Sequence, residues 1–204
     1  MVLDSYRSLA DRILLPLTRP LMKVNPNFIS VMSLVLAGIT GLLFYIGGLY
    51  MLISFFTLLL SAAFDAIDGK LARLKNMASR RGDLVDHVFD RYSDVFILLG
   101  FIFSKYAQLS IGVAAIIGVM LTSYMGTQAQ ALGLKRNYSG ILGRADRLVF
   151  MLVFIMIQFF IPFSFTSHGM LITPIEVLLI WFAIAGNVTA VKRFADSYRE
   201  LGSS

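Results

Sequence analysis

The sequence predicts an all-α polytopic membrane protein, with six transmembrane helices, a short interfacial N-terminal helix and both termini in the cytoplasm. Three observations lead there. Of 204 residues, 57% are hydrophobic and 15% charged, and the mean hydropathy is +0.77, which is too apolar for a soluble domain. Six apolar runs are separated by short links, and a bilayer core takes about 20 apolar residues per helical crossing. Finally, of the 18 Lys and Arg residues all except Lys105 fall on one side of the resulting map. Basic loops mark the cytoplasmic face.

The first 24 residues are too short and too charged to span. Arg7, Arg12, Arg19 and Lys23 alternate there with Leu9, Ile13, Leu14, Leu17 and Leu21, as in a helix lying in the interface, and Pro16 and Pro20 kink or divide it. The first span opens after Asn25-Pro26-Asn27 and runs from Phe28 to Ile46, ending at the turn signal Gly47-Gly48. The second starts at Leu49 and continues as a helix with charges to Arg73. The others cover Leu84 to Ser104, Leu109 to Leu132, Leu148 to Ile161 and Pro174 to Val191. The chain therefore reads as a single membrane domain over residues 1–204, with an interfacial segment over 1–24 and a six-helix bundle over 25–197. Its basic residues are spread over loops rather than gathered on a soluble domain, which argues against nucleic acid. Without Cys, the chain has no thiol nucleophile, thiolate metal site or disulfide.

Six of the 12 acids, Asp65, Asp68, Asp83, Asp86, Asp90 and Asp94, crowd into the inner end of the second span and the first half of the third. An Asp at mid-helix costs roughly 2.5 to 3.5 kcal/mol on the insertion scale, so four buried ones would cost about 10 kcal/mol, comparable to a typical domain's stability of about 5 to 15. Interfacial depth lowers that cost, and pairing or a divalent cation offsets the rest. Asp65 and Asp68 share one helical face, and Asp86, Asp90 and Asp94 repeat on the next helix. All-oxygen clusters suit Mg²⁺ or Mn²⁺, and a lone nearby His87 argues against zinc. Gly69 and Gly82 flank the acidic faces and admit a ligand close to the backbone. Arg73, one turn beyond, is placed to meet an anion held there. Asp83 and Asp94 read as solvated or paired with Arg80 and Arg91, His87 as a polar packing residue, and Gly38 and Gly41 as helix contact points.

Together these residues read Asp65-x-x-Asp68-Gly69-x-x-Ala72-Arg73, eight residues, then Gly82-x-x-x-Asp86-x-x-x-Asp90. This resembles the signature of the CDP-alcohol phosphotransferase family, with every fixed position filled at the family's spacing. The motif spans 65–90, and the expected spans and termini agree with the family's architecture. The resemblance implies that Asp65, Asp68 and Asp86 bind a metal gripping the diphosphate of a CDP-linked lipid. Asp90 is implied as general base and ligand of a second metal. It further implies that Gly69, Ala72 and Gly82 make room for cytidine and that Arg73 contacts phosphate. Pro26 and Asn27 resemble the family's start of the first span, beside the nucleotide. Homodimerisation is also implied.

Ser123, Tyr124, Gln128 and Gln130 make the inner end of the fourth span polar, and Lys135, Arg136, Arg144 and Arg147 follow. A phosphorylated acceptor needs such charge. Arg144-Ala145-Asp146-Arg147 resembles the Arg-x-x-Arg stretch of the phosphatidylinositol and archaetidylinositol phosphate synthase branch, and Lys192 or Arg193 matches that branch's basic residue after the last span. The acceptor set is therefore Ser123, Gln128, Arg144, Arg147 and Arg193. Where the branch carries Lys and Arg after its Ser-Tyr pair, this chain has Gly126 and Gln128, which keeps glycerol phosphate open beside inositol phosphate. The expected activity is Mg²⁺-dependent transfer of a lipid phosphate from a CDP-linked lipid to a small phosphorylated polyol, with release of CMP. Two other classes fit the sequence less well. A membrane prenyltransferase would carry a second Asp-rich motif, whereas the second half holds only Asp146, Glu176, Asp196 and Glu200. A divalent-cation transporter would continue its polar path beyond Asp94, where the third span turns apolar.

Overall fold

The computed structural model describes residue 16 and residues 18–77, 79–135, 137–167 and 170–202. Most of the expected interfacial segment, residues 1–15 and 17, lies outside the described residues, as does Arg136. The described chain carries a 3-10 turn at Arg19–Leu21 and then α1 (Pro26–Ile46), α2 (Tyr50–Leu74), α3 (Arg80–Ile102), α4 (Leu109–Ala131), α5 (Arg144–Phe160), the short strands β1 (Phe165–Ser167) and β2 (Met170–Ile172), and α6 (Pro174–Gly202). Four of these helices, α1, α2, α4 and α6, are long and apolar enough to cross a membrane. The N-terminal half of α3 carries the acids, and α5 has 17 residues. Side chains such as Phe28, Leu42, Phe56, Ile184 and Val191 face outward while Thr40, Asp90, Arg147 and Glu176 are buried, the reverse of a water-soluble fold.

The helices start and stop for local reasons. At the N-cap of α1 the Asn25 side chain accepts from the Asn27 amide at 3.0 Å, with Pro26 at the first helical position where a missing N–H costs nothing. Gly47 and Gly48 then take φ of +79° and +61°, which turns the chain tightly into α2. The sequence reading misplaces three ends. Both α3 and α5 begin four residues earlier than expected, because charged first turns read as loop. The C-terminal helix runs on past Val191 to Gly202, since an amphipathic charged stretch continues the helix beyond the apolar window.

The chain divides into two compact units, one ending at Gly100 and the other starting at Phe101. In the first, Ser33 and Ser61 join α1 to α2 by hydrogen bonds in both directions, and the Thr40 and Thr57 hydroxyls meet at 2.8 Å. Polar side chains take this role because lipid offers no hydrophobic drive between helices. Near the other end, Ile29, Ile67 and Leu71 form a buried cluster with Leu21, Val24 and Phe64 against it, and Lys75 donates to the Val24 carbonyl at 2.9 Å. Helix α3 comes so close to α1 that a Cβ on Gly41 would collide with the Phe96 carbonyl and one on Gly100 with Gly41.

In the second unit α4 and α6 cross backbone to backbone, where a Cβ on Gly186 would stand 2.7 Å from the Gly118 carbonyl carbon. Thr122 donates to the Gly186 carbonyl at 2.8 Å beside this crossing. At the start of α6, Thr173 accepts from the Glu176 amide at 3.1 Å and Glu176 accepts from the Gln108 amide at 3.0 Å, tying that helix to the N-cap of α4. Strands β1 and β2 pair antiparallel, Phe165 with Ile172 and Ser167 with Met170, in the link between α5 and α6.

Candidate active site

Two helix ends build an acidic site within the first unit. Asp65 and Asp68 come from successive turns of α2, and Asp86 and Asp90 from successive turns of α3. One carboxylate oxygen from each of Asp65, Asp68 and Asp86 lies within 4.8 Å of the other two, and ligand atoms of Asp86, His87 and Asp90 form a second such group. Asp68 and Asp90 are each 5% exposed. Close-set carboxylates repel unless a cation sits among them. The first group offers oxygen only, a donor set that suits a hard divalent ion, while His87 adds a nitrogen on the side of the second.

A cavity of about 520 Å³ opens beside the first group, lined among others by Pro26, Asn27, Asp68, Gly69, Ala72, Arg73, Gly82 and Asp86. Of the residues expected on the donor side, these eight line the cavity, while Asp65 and Asp90 belong to the two acidic groups beside it. Among the described residues, and outside the helix's own backbone, a Cβ on Gly69 would find only the Arg73 Nη2 at 3.9 Å and one on Gly82 only the Ser79 Oγ at 3.5 Å, so neither glycine serves as a contact point between helices there. Arg73 donates from Nε to the Gly69 carbonyl at 3.0 Å, which holds its guanidinium at the rim.

Some lining residues were missed. Ser30 sits one turn beyond Pro26, and its hydroxyl reaches the Pro26 carbonyl at 3.2 Å and the Asp68 carboxylate. Its position on the face of Pro26 and Asn27 was the available signal. Ser79 accepts from the Gly82 amide at 3.1 Å and so opens α3, while Arg81 brings a second cation to the lining. Asp94 pairs with Arg91 at 3.8 Å, as expected. Asp83 approaches His87 at 3.5 Å, and His87 also lies 3.8 Å from Asp86, so this histidine packs between two carboxylates.

The acceptor-side residues belong to the second unit. Ser123 is buried and Gln128 half-buried on α4, and Arg193 is buried on α6. Arg144 is the first residue of α5, and Arg147, one turn on, is 1% exposed. The Asp146 carboxylate accepts from the Gly143 amide at 3.0 Å, capping that helix directly before the two arginines.

Residues 23–189 match the family described as CDP-alcohol phosphatidyltransferase. Inner membrane protein YnbA of Escherichia coli is 30% identical over 165 residues, covering 79% of this chain and 81% of that one. The phosphatidylinositol phosphate synthase of Streptomyces avermitilis is 27% identical, covering 98% and 84%. Among solved structures, the phosphatidylinositol phosphate synthase of Mycobacterium tuberculosis with CDP-DAG bound superposes with a TM-score of 0.76 at 23% identity, covering 92% and 94%. The same enzyme with manganese and citrate gives 0.75 at 23% identity, covering 91% and 88%. With the match running from Lys23 to Thr189 and through the whole acidic motif, this chain belongs to the CDP-alcohol phosphatidyltransferase family.

Proposed function

We propose that the protein transfers a lipid-bearing phosphate from a CDP-linked lipid to a small phosphorylated polyol, inositol phosphate before glycerol phosphate, with release of CMP. The observation that carries this reading is the convergence of the Asp65, Asp68 and Asp86 oxygens at a cavity walled by Gly69, Ala72, Arg73 and Gly82. Two neighbours support it: the Streptomyces relative is a phosphatidylinositol phosphate synthase, and the mycobacterial enzyme has been solved with CDP-DAG and with manganese.

In this reading Asp65, Asp68 and Asp86 hold a divalent cation, Mg²⁺ or Mn²⁺, and Asp90 joins Asp86 toward a second. A bound cation supplies positive charge for the diphosphate and for departing CMP. Gly69, Ala72 and Gly82 leave room for cytidine beside Pro26 and Asn27, and Arg73 offers its terminal nitrogens to a phosphate. Asp90 takes the proton from the acceptor hydroxyl as that oxygen forms a bond to the lipid-bearing phosphorus, and the bond from that phosphorus to CMP breaks. Ser123, Gln128, Arg144 and Arg147, with Arg193, form the acceptor set. Their charge favours a phosphate ester, while Gly126 and Gln128 keep glycerol phosphate as the second acceptor.

The six helices span the cell membrane as one domain, with both termini, the two basic links and the active site facing the cytoplasm, and the protein works as a homodimer. The cation distribution supports the orientation, and family likeness supports the dimer. The direct test is CMP release from CDP-diacylglycerol with inositol phosphate, glycerol 3-phosphate and free inositol offered in turn, with and without EDTA. Release that needs both a divalent cation and a phosphorylated acceptor supports the reading. Equal turnover of free inositol would move the enzyme elsewhere in the family.

A further inference from the structure

One face of α6 is given over to the link that leads into α5. Thr189, Arg193 and Asp196 stand at positions i, i+4 and i+7, and each engages that link. The Ile141 amide donates to Thr189 Oγ1 at 3.2 Å, Arg193 Nε donates to the Ser139 carbonyl at 2.8 Å, and the Ser139 hydroxyl donates to Asp196 Oδ2 at 2.8 Å. The Arg193 carbonyl in turn accepts from the Asn137 side-chain amide at 3.4 Å. Arg193 also reaches α4, where its Nη1 donates to the Thr122 carbonyl at 2.6 Å. One buried guanidinium, 6% exposed, thus joins α4, the link and α6.

Two glycines make this possible. A Cβ on Gly126 would stand 3.2 Å from Arg193 Nη1 and 3.1 Å from the Asn137 carbonyl. Gly140 takes φ of +114°, and a Cβ there would collide with the Thr189 side chain. Gly126 is thus a departure from the inositol-phosphate branch with a structural use, since it clears the space into which Arg193 extends.

Both ends of the clasp adjoin the acceptor set. Thr122 precedes Ser123, and the residues held by α6 run through Leu142 and Gly143 directly into Arg144. We infer that Arg193 is a positioning residue: with Asp196, Ser139 and Thr189 it fixes the 137–143 link, and through it the placement of Arg144 and Arg147 for the phosphorylated acceptor. This rests on the acceptor reading above. A planar guanidinium suits the task because its nitrogens reach two carbonyls at fixed angles, which a lysine ammonium cannot reproduce.

The two roles open to Arg193 respond oppositely to changes around it. If it only supplied charge to a phosphate, Asp196→Ala would remove a nearby negative charge and leave the acceptor KM unchanged or lower, and Arg193→Lys would retain most activity. The clasp requires Asp196→Ala, which removes the acceptor of the Ser139 hydroxyl, to raise the acceptor KM about fivefold or more with the CDP-lipid KM within twofold. Ser139→Ala should match it, the double variant should be no worse than either single one, and Arg193→Lys should not rescue. The test measures both KM values in the whole chain in lipid nanodiscs, with CDP-diacylglycerol and either inositol phosphate or glycerol 3-phosphate. Amide hydrogen exchange over 137–143 is followed in parallel, and it should speed up in Asp196→Ala. Unchanged exchange there, or a normal acceptor KM in Asp196→Ala with activity kept in Arg193→Lys, overturns the clasp. Unchanged acceptor KM in Arg144→Gln and Arg147→Gln, with faster exchange in Asp196→Ala, instead defeats the acceptor reading and with it the proposed consequence of the clasp.

Discussion

Ser33 and Ser61 exchange hydrogen bonds across α1 and α2: the Ser33 hydroxyl donates to the Ser61 carbonyl at 2.9 Å and the Ser61 hydroxyl to the Ser33 carbonyl at 2.8 Å. Ser33 lies one turn from Ser30, and Ser61 one turn from Asp65. The exchange therefore sets where the wall of the cavity stands relative to its first acid. Interhelical hydrogen bonds in membranes average about 0.6 kcal/mol each, and Ser61→Ala removes the one its own hydroxyl donates while the Ser61 carbonyl still accepts from Ser33, so the substitution should cost about 0.6 kcal/mol. A melting temperature lowered by a few degrees, with CDP-lipid affinity down severalfold, is the expected result of thermal unfolding and binding measured on the same sample.

Stability and function should part company at Gly69. Among the described residues, and outside its own helix backbone, an alanine Cβ there has Arg73 Nη2 as its nearest neighbour at 3.9 Å, and the substitution removes a helix-interior glycine, which is worth about 0.5 to 1 kcal/mol in favour of the folded state. The added methyl occupies cavity. Gly69→Ala should unfold at the same or a higher temperature while losing tenfold or more in CDP-lipid affinity. Retained affinity would show that Gly69 does not border the donor.

Asp90→Asn removes a base and leaves Asp65, Asp68 and Asp86 in place. Turnover should fall by about 10² to 10⁴, the usual contribution of a general base, with CDP-lipid binding within a few fold. An equal loss of binding and turnover would instead make Asp90 a ligand of the primary cation.

Arg144 and Arg147 should discriminate between substrates. A charge-assisted contact to phosphate contributes roughly 1.5 to 3 kcal/mol, so Arg147→Gln should raise the acceptor KM about tenfold or more and leave the CDP-lipid KM nearly unchanged. The penalty should largely disappear with the unphosphorylated acceptor.

Orientation can be read without enzyme activity, because the chain contains no native cysteine. Lys135 and Ser164 are both exposed and lie on opposite sides of the expected six-span map. A cysteine at 135 should react with a membrane-impermeant thiol reagent only from the cytoplasmic side, and one at 164 only from outside. Reaction of both from one side would contradict the six-span arrangement.

The acidic site was legible because its information is local: two short stretches, each periodic on a helix, whose acids have no reason to lie in an apolar chain unless they act together. Apolar length likewise located the six long helices among the described residues. What escaped the sequence was set by tertiary contact. The first turn of α5, Arg144 to Arg147, falls before the expected apolar run until Asp146 is seen accepting from the Gly143 amide, and Ser30 reads as an ordinary span residue until α2 brings Asp68 to it. Strands of three residues are too short for an alternating pattern, so the β1–β2 hairpin left no periodic trace. Arg193 shows the limit most clearly. Its position after the last span marks it as basic and inward, but its binding to the carbonyls of Thr122 and Ser139 depends on two glycines far away in sequence.

The most direct test of the account is the affinity of CDP-diacylglycerol for wild type and Asp68→Ala, titrated with Mg²⁺ and with EDTA. If Asp65, Asp68 and Asp86 hold a cation that binds the diphosphate, wild-type affinity should rise steeply with Mg²⁺ and collapse in EDTA, while Asp68→Ala should remain weak at every Mg²⁺ concentration with its fold intact. Normal, Mg²⁺-dependent affinity in Asp68→Ala would contradict the account.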